Sequence, residues 1–466
     1  MNLPSWWRAV AGIAAALNVW AQSPGTLDPA YSLPAGTDGP PMLLAPAPAG
    51  KLYVGGAFTN YAGTERGALA RLSPDGSVDP AFTLPTLLKI NPPFILNGQV
   101  IVPGSTNAGT IKAILVLPDG RAVIAGGFTH LGDAQRPGLA VLNLDGSPAP
   151  FAPAIGKIDP VALLAGPDGT FYVSGIGFAD VNRLPVLRLK LDGARDSVFV
   201  PPTVASLGYA GTFASVLRAG PGGTVYFAAS VTLANFSSAF EIVRLQPSGN
   251  PDVTFAGGGQ ARVANPGLAT FQSSPSGQLL FTGLDAFRGV ALTRKINRLS
   301  LDGAVDPTFQ ATVDTGIFGR LVAVQPDGKL LYVGSDRALS RLHLDGSADP
   351  GFVNPAKVPV EQPGLVLSYF ALAPDLSVFA GGSRAGPGNV VTFGAFHLFG
   401  DPVTGPPLRL NFDRGVDGIH LTWAAGLRLQ RATQLAPADW QNLANPSPVT
   451  LPFTGPAEFY RVVPAP

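Results

Sequence analysis

Carboxylates return along this chain at a fixed spacing around glycine. Asp75 and Asp79, Asp302 and Asp306, and Asp345 and Asp349 each stand four residues apart across an Asp-Gly turn. Carboxylates gathered at a turn are the raw material of a calcium site. Calcium, however, takes about six to eight oxygens, and two carboxylates fall short. The same residues suit a simpler task, because an Asp side chain caps the backbone N–H two residues on and fixes the turn. Ser248 takes the Asp place in one copy, and serine caps a turn but ligates metal poorly. The expected role is therefore turn capping, with no metal.

The other polar residues that carry chemistry are scattered. The chain has no His-Glu-x-x-His zinc motif, Gly-x-Ser-x-Gly elbow, P-loop or EF-hand loop. Its histidines are His130, His343, His397 and His420, far apart in sequence. The last three sit in strand patterns and read as structural or exposed. His130 follows Phe128-Thr129 in a loop and is the one best placed to act. Arg66, Arg136 and Arg183 recur ahead of the aspartates, where structural ion pairing is expected. A ring of arginines reading an acidic ligand is the sharper alternative. Phe58, Tyr61, Phe128 and Phe178 either staple neighbouring units or stack on sugars. Carboxylates outside the repeated positions are Glu65, Asp133, Asp180, Glu241, Asp285, Asp336 and Glu361. Nothing in their spacing joins them into a site. The sequence thus assigns no catalytic residue, no cofactor and no metal ligand, and leaves the ligand-binding residues unknown.

The elements that would position these groups are clearer. Leu, two residues, Asp-Gly or Ser-Gly and then an aromatic recur at Leu72–Phe82, Leu142–Phe151, Leu189–Phe199, Leu245–Phe255, Leu299–Phe309 and Leu342–Phe352. A second phrase, Pro-Asp-Gly or a variant, falls at Pro48, Pro118, Pro167, Pro221, Pro275, Pro326 and Pro374. Proline presets φ at the first corner, Asp caps, and Gly takes the left-handed position. Alternating runs flank the turn, as in Leu321–Val324 and Leu330–Gly334, which predicts a hairpin. Arg341–Leu344 and Ala348–Phe352 flank the other turn and predict a second. Two hairpins per unit give four strands in about 50 residues, the pattern of a β-propeller blade.

The ends of the array match each other. Thr26-Leu27-Asp28-Pro29-Ala30-Tyr31 has the form of Ser77-Val78-Asp79-Pro80-Ala81-Phe82 but no first half. The last unit, around Pro374, lacks that ending. An N-terminal strand completing the last blade would close a ring and remove free edges. Residues 83–116 are longer than their equivalents. They contain the turn-like Asn97-Gly98, and we expect an inserted hairpin there, with an extra eroded blade as the alternative.

The stretches Lys51–Thr59, Arg66 and Ala70–Phe82 resemble the delta-60 repeat family, over roughly residues 25–400. That resemblance implies a propeller-like domain of secreted or surface bacterial proteins, and no defined activity. After the linker-like 402–407, the pieces Leu421-Thr422-Trp423, Leu429–Thr433, Leu435, Trp440 and Phe459–Val462 resemble a C-terminal fibronectin type III-like module of exported verrucomicrobial proteins. Trp423 and Trp440 are expected core anchors, and a ligand-facing aromatic is the alternative.

Composition narrows the function classes. The chain has 466 residues, a formal net charge of +1 and only 13% charged residues. A nucleic-acid binder needs a basic stripe, which is missing, and nothing draws the chain electrostatically to an anionic membrane. No cysteine is present, which rules out disulfides, thiolate metal sites, a cysteine nucleophile and lipobox lipidation. Arg8, the apolar Ala9–Val19 and Val19-Trp20-Ala21 fit a Sec signal peptide cleaved before Gln22, with a short N-terminal membrane anchor as the alternative, for which the run is short.

The expected fold class is all-β: a seven-bladed β-propeller closed by an N-terminal strand, then a small C-terminal β-sandwich. The expected order is signal peptide 1–21, propeller 22–401, linker 402–407 and sandwich 408–466. The expected function is a secreted or cell-surface, monomeric scaffold that binds a polysaccharide or surface protein, with no nucleic acid, no cofactor and no membrane span once the signal is removed. One alternative is a polysaccharide hydrolase or lyase with carboxylates around the channel. The other is a purely architectural surface protein.

Overall fold

The computed structural model describes residues 24, 26–28, 31, 37–97, 99–153, 159–176, 185–203, 205–207, 209–233, 238–266, 271–282, 284–287, 290–291, 296–309, 311, 320–334, 338–353, 365–385, 391–400, 411–414, 419–422, 427–432, 441–442, 449–451 and 459–464. The expected signal peptide, the 402–407 linker, Trp423, Trp440, Phe178, Asp180, Arg183, Asp336 and Glu361 lie outside them. The chain divides into two compact units, Met1–Gly400 and Asp401–Pro466. Among the described residues no helix is long and apolar enough to cross a membrane.

The first unit is a β-propeller assembly built from one recurring antiparallel sheet. Pro41–Ala47 pairs with Lys51–Gly56, which pairs in turn with Leu69–Leu72. The same order returns in Thr110–Val116, Ala122–Gly127 and Leu139–Leu142. It returns again in Asp159–Ala165, Phe171–Ile176 and Val186–Leu189, and in Tyr209–Ala219, Val225–Leu233 and Ser238–Leu245. Phe271–Ser273, Leu279–Phe281 and Asn297–Leu299 follow, then Arg320–Val324, Leu330–Val333 and Leu339–Leu342. Leu365–Leu372, Val378–Ala385 and Val391–Leu398 end the series. The turn joining the first two strands of each set is the Pro-Asp-Gly phrase, with Val324 opposite Leu330 as its alternation predicts.

The second predicted hairpin is reduced. After Leu-x-x-Asp-Gly the chain returns through one bridge per unit, such as Leu72 to Val78 and Leu342 to Ala348, and only in the fourth unit is a further strand described, Gln260–Pro266 beside Ser238–Leu245. The aspartate's own turn explains the reduction: its side chain caps the N–H two residues on, as Asp79 does for Ala81 and Asp196 for Val198, and Pro80, Pro307 and Pro350 reinforce the break where they occur. The aspartate then folds the chain over, so that Phe82 N–H reaches the Asp79 carbonyl at 3.3 Å.

The core lies in the seams between sheets. Alternate residues of one inner strand serve different seams, as strand geometry requires. Leu43 and Ala45 pack with Tyr53, Phe82 and Ile124, whereas Leu44 packs with Leu52, Val54 and Phe379. Both faces of Leu69–Leu72, Leu139–Leu142 and Val186–Leu189 are buried. Each fully buried Leu or Phe stabilises by roughly 1.5–3 kcal/mol. Successive inner strands touch, and Pro41–Ala47 also touches Leu365–Leu372.

Turn glycines sit where units press together. Gly249 has φ +97°, and a Cβ there would lie 2.6 Å from the Val200 carbonyl carbon. Gly249→Ala is therefore expected to lose about 1–3 kcal/mol, from left-handed strain and from the clash. Chemical denaturation of the variant checks this.

The insertion forms a hairpin, as expected. Leu87–Asn91 pairs with Ser105–Ala108 and with His130–Leu131. Beyond them Phe94–Leu96 pairs with Gln99–Val102 around Asn97, whose φ is +50°. The C-terminal unit holds two three-stranded sheets. Asn411–Arg414, Ile419–Thr422 and Val449–Leu451 form one. Gln441–Asn442, Leu427–Ala432 and Phe459–Pro464 form the other.

Candidate functional site

The aspartates separate into two jobs. The first of each pair is a turn cap. Asp75 accepts from the Ser77 N–H at 3.0 Å, Asp145 from Ser147 at 2.9 Å, Asp302 from Ala304 at 3.1 Å and Asp345 from Ser347 at 2.9 Å. Ser248 takes the Asn250 N–H through its hydroxyl at 3.5 Å. The second aspartate caps with one oxygen and holds an arginine with the other.

That arginine is not one of those expected. Arg66 and Arg136 turn to nearby carbonyls, those of Glu65 and of Gln135 and Ala149. The aspartates are met by arginines eight residues earlier, one position before each Leu-x-x-Asp-Gly phrase. Arg71 Nε lies 2.8 Å from Asp79, Arg188 2.6 Å from Asp196 and Arg244 2.7 Å from Asp252. Arg298 and Arg341 meet Asp306 and Asp349 at 2.9 and 2.8 Å. Period-two alternation sends these arginines into the seam, where a short loop tip at Arg66 cannot reach. The constant eight-residue spacing was the sequence signal for the pairing.

Each arginine pairs with its aspartate and stacks on the phrase-ending aromatic, and Arg188, Arg244 and Arg298 also donate to a carbonyl of the next unit. Arg71, Arg188, Arg244, Arg298 and Arg341 lie 4.9, 5.1, 5.0, 4.8 and 5.0 Å from the centroids of Phe82, Phe199, Phe255, Phe309 and Phe352. Such cation–π contacts contribute up to about 2 kcal/mol when desolvated. Arg188 donates to the Pro247 carbonyl at 3.0 Å and Arg298 to that of Leu344 at 3.0 Å, both in the following unit's turn. The second unit does without charge, with Val141 and Ala149 at these places.

Burial pushes the Asp79 carboxyl up, but hydrogen bonds from Lys51, the Ala81 amide and Arg71 outweigh it and hold it at about 2. A folded pKa below the unfolded value of about 3.9 gives stability that is full above pH ~4 and is lost as pH falls towards 2. Asp79→Asn should therefore be less stable at pH 7 and should flatten this acid limb. Urea unfolding at pH 2.5, 4 and 7 reads both effects.

Residues from the start of the chain lie against the last unit. His397 stands opposite Phe379, as Arg71 stands opposite Tyr53. Its Nδ1 is 3.0 Å from Asp28, and its ring lies 5.5 Å from that of Tyr31. Asp28 N–H donates to the His397 carbonyl at 2.8 Å, as Asp79 N–H does to Arg71 at 2.8 Å. Leu27 bridges Leu398, and Val353 N–H donates to the Pro24 carbonyl at 2.7 Å.

The remaining candidates do not converge. His130 begins the short strand His130–Leu131, not a loop, with Nδ1 2.9 Å from Thr129 Oγ1. His343 lies just beyond Leu339–Leu342, with Nε2 3.9 Å from Asp349. His420 lies in Ile419–Thr422, in the C-terminal unit. Glu65 lies in the exposed two-residue strand Thr64–Glu65, Asp133 lies between two short strands, and Glu241 is buried in Ser238–Leu245. Asp285 lies in Leu284–Phe287. Phe58, Tyr61 and Phe128 are buried at seams, so they staple units together and offer no face to a sugar. Among the described residues no group of three or more His, Asp or Glu could hold a metal.

A family described as a domain of unknown function (DUF5122) beta-propeller matches residues 48–82, 117–148, 221–255 and 325–352. No curated protein matches the chain. Among solved structures, virginiamycin B lyase from Staphylococcus aureus is similar at 12% identity and TM-score 0.34, over 67% of this chain and 90% of that one. A puromycin-hydrolyzing peptidase from Mycobacterium tuberculosis is similar at 14% identity and TM-score 0.41, over 86% of this chain and 61% of that one. The GH43 endo-arabinanase from Bacillus licheniformis is similar at 11% identity and TM-score 0.27, over 53% of this chain and 96% of that one. Likenesses this loose assign no activity. The four matched stretches, each running through a Pro-Asp-Gly or Leu-x-x-Asp-Gly phrase, identify the chain as carrying β-propeller repeats.

Proposed function

We propose that the chain is an exported, non-catalytic binding scaffold: a seven-bladed propeller whose last blade is completed by residues 24–31, presenting its loops to a polysaccharide or a protein partner. The observation that carries this reading is how the repeated charges are used. Asp79, Asp196, Asp252, Asp306 and Asp349 are each taken up by an arginine within the seams, which leaves the repeat as framework. Closure is supported by the contacts of Pro24, Thr26, Leu27 and Asp28 with Val353 and 397–399 and by the contact of the first inner strand with the last. The two small sheets after residue 410 fit a sandwich module of fibronectin type III-like kind. The apolar run after Arg8 supports export, and the phrase matches the delta-60 type of repeat.

A panel of polysaccharides, probed with the mature chain while released products are assayed in the same wells, tests the function. Retention without products is expected. Release of products would overturn the scaffold reading in favour of a hydrolase or lyase. Neither retention nor products would remove carbohydrate as the ligand.

A further inference from the structure

The insertion after the first unit carries an unusual surface. Phe94, Ile95, Leu96, Val100, Ile101 and Val102 are all more than half exposed, in a hairpin that forms a two-stranded sheet of its own. Both faces are apolar, since Val100 and Val102 point opposite to Ile101 by alternation. No charged residue stands between Lys89 and Lys112. Pro92, Pro93 and Pro103 bound the hairpin, but inside it nothing blunts the edges, where natural sheets commonly place lysine or proline.

We propose that this hairpin is a self-association surface, pairing with the same hairpin of a second copy across a two-fold axis. This goes beyond the scaffold reading and does not depend on what the loops bind. Three features select a second copy. A two-fold axis brings each residue near its own twin, so charged residues would repel, and a contact of this kind tolerates a neutral apolar patch. The lack of charge also offers nothing to steer or select an unlike partner. Antiparallel pairing of Gln99–Val102 with itself satisfies an open edge with β-branched residues suited to a sheet. Cross-strand contacts along the paired edges bury part of the half-exposed apolar side chains of each hairpin. A bilayer is a poorer occupant, because an open hairpin would leave its edge N–H and C=O groups unpaired in hydrocarbon.

Sedimentation equilibrium of the full chain between about 1 and 100 µM tests this, with Ile101→Lys and, separately, Val100→Glu. The wild-type chain is expected to be a dimer. Each variant should dissociate at least ~10-fold more easily and melt at the wild-type temperature, since the residues are exposed. A monomeric wild type overturns the proposal, as does a dimer unchanged in both variants. So does a monomer that binds neutral phosphatidylcholine vesicles and loses that binding in Ile101→Lys.

Discussion

Asp252→Ala is expected to cost about 3–5 kcal/mol, among the largest effects of any single surface-distant substitution in this chain. Arg244 has only 4% of its side chain exposed, so removing its partner leaves a buried charge without a carboxylate. The stacking on Phe255 and the donation to Thr254 at 2.8 Å remain, but neither supplies a counter-charge. Replacing both partners should be far milder, because two apolar side chains need no compensation in a dry seam. The chain already contains that experiment in its second unit, where Val141 and Ala149 occupy the same places. Arg244→Met with Asp252→Leu is therefore expected to recover most of the loss. A double-mutant cycle by guanidinium unfolding measures it. An Asp252→Ala variant within about 1 kcal/mol of wild type would show that the pair does not hold the seam.

The second large effect concerns the last unit. Tyr31 is buried and lies 5.9 Å from the Phe379 ring. Tyr31→Ala should cost about 3–5 kcal/mol, as large-to-small aromatic truncations do. Removing residues 24–31 should do more. It uncovers Phe379 and Leu398, strips His397 of Asp28, and leaves Val391–Leu398 as an open edge prone to intermolecular pairing. The expected result is a melting temperature lower by more than about 10 °C together with aggregation. Differential scanning calorimetry and light scattering read these two effects. An unchanged melt would mean that the ring does not depend on this segment.

Much of this architecture was legible in the sequence, for a physical reason. A turn that favours Pro, Asp or Ser, and Gly in order leaves such letters in the chain, so the hairpins of the repeat marked themselves even where one letter varies, as at Leu376. The matching of Thr26–Tyr31 with Ser77–Phe82 was readable for the same reason. The reduced fourth strand follows from the turn that each last aspartate caps, as at Asp79 and Asp196, which the aromatic ending of the phrase did not reveal. The arginine assignment failed at Arg66 and Arg136 because proximity in sequence suggested them. The true partners, such as Arg71, lie across a strand and a turn, and alternation decides which way they face. His397 gave no signal by itself, since its role depends on a residue 369 positions away. The exposed hairpin was visible as Asn97-Gly98 between apolar runs, but an apolar run in sequence reads as buried, and only the fold shows Phe94 and Ile101 outside.

The proposed closure of the ring by its own N-terminal segment underlies the scaffold reading, because a closed ring is what would present loops in fixed positions. The chain has no cysteine, so Leu27→Cys with Leu398→Cys introduces one pair only, at residues that face each other across an antiparallel bridge. With the ring closed, the two thiols are expected to oxidise within one chain to a single disulfide, and the oxidised protein to be more stable than the reduced one by several kcal/mol, as expected for so long a loop. Thiols that stay free, or that cross-link only between chains, would contradict it.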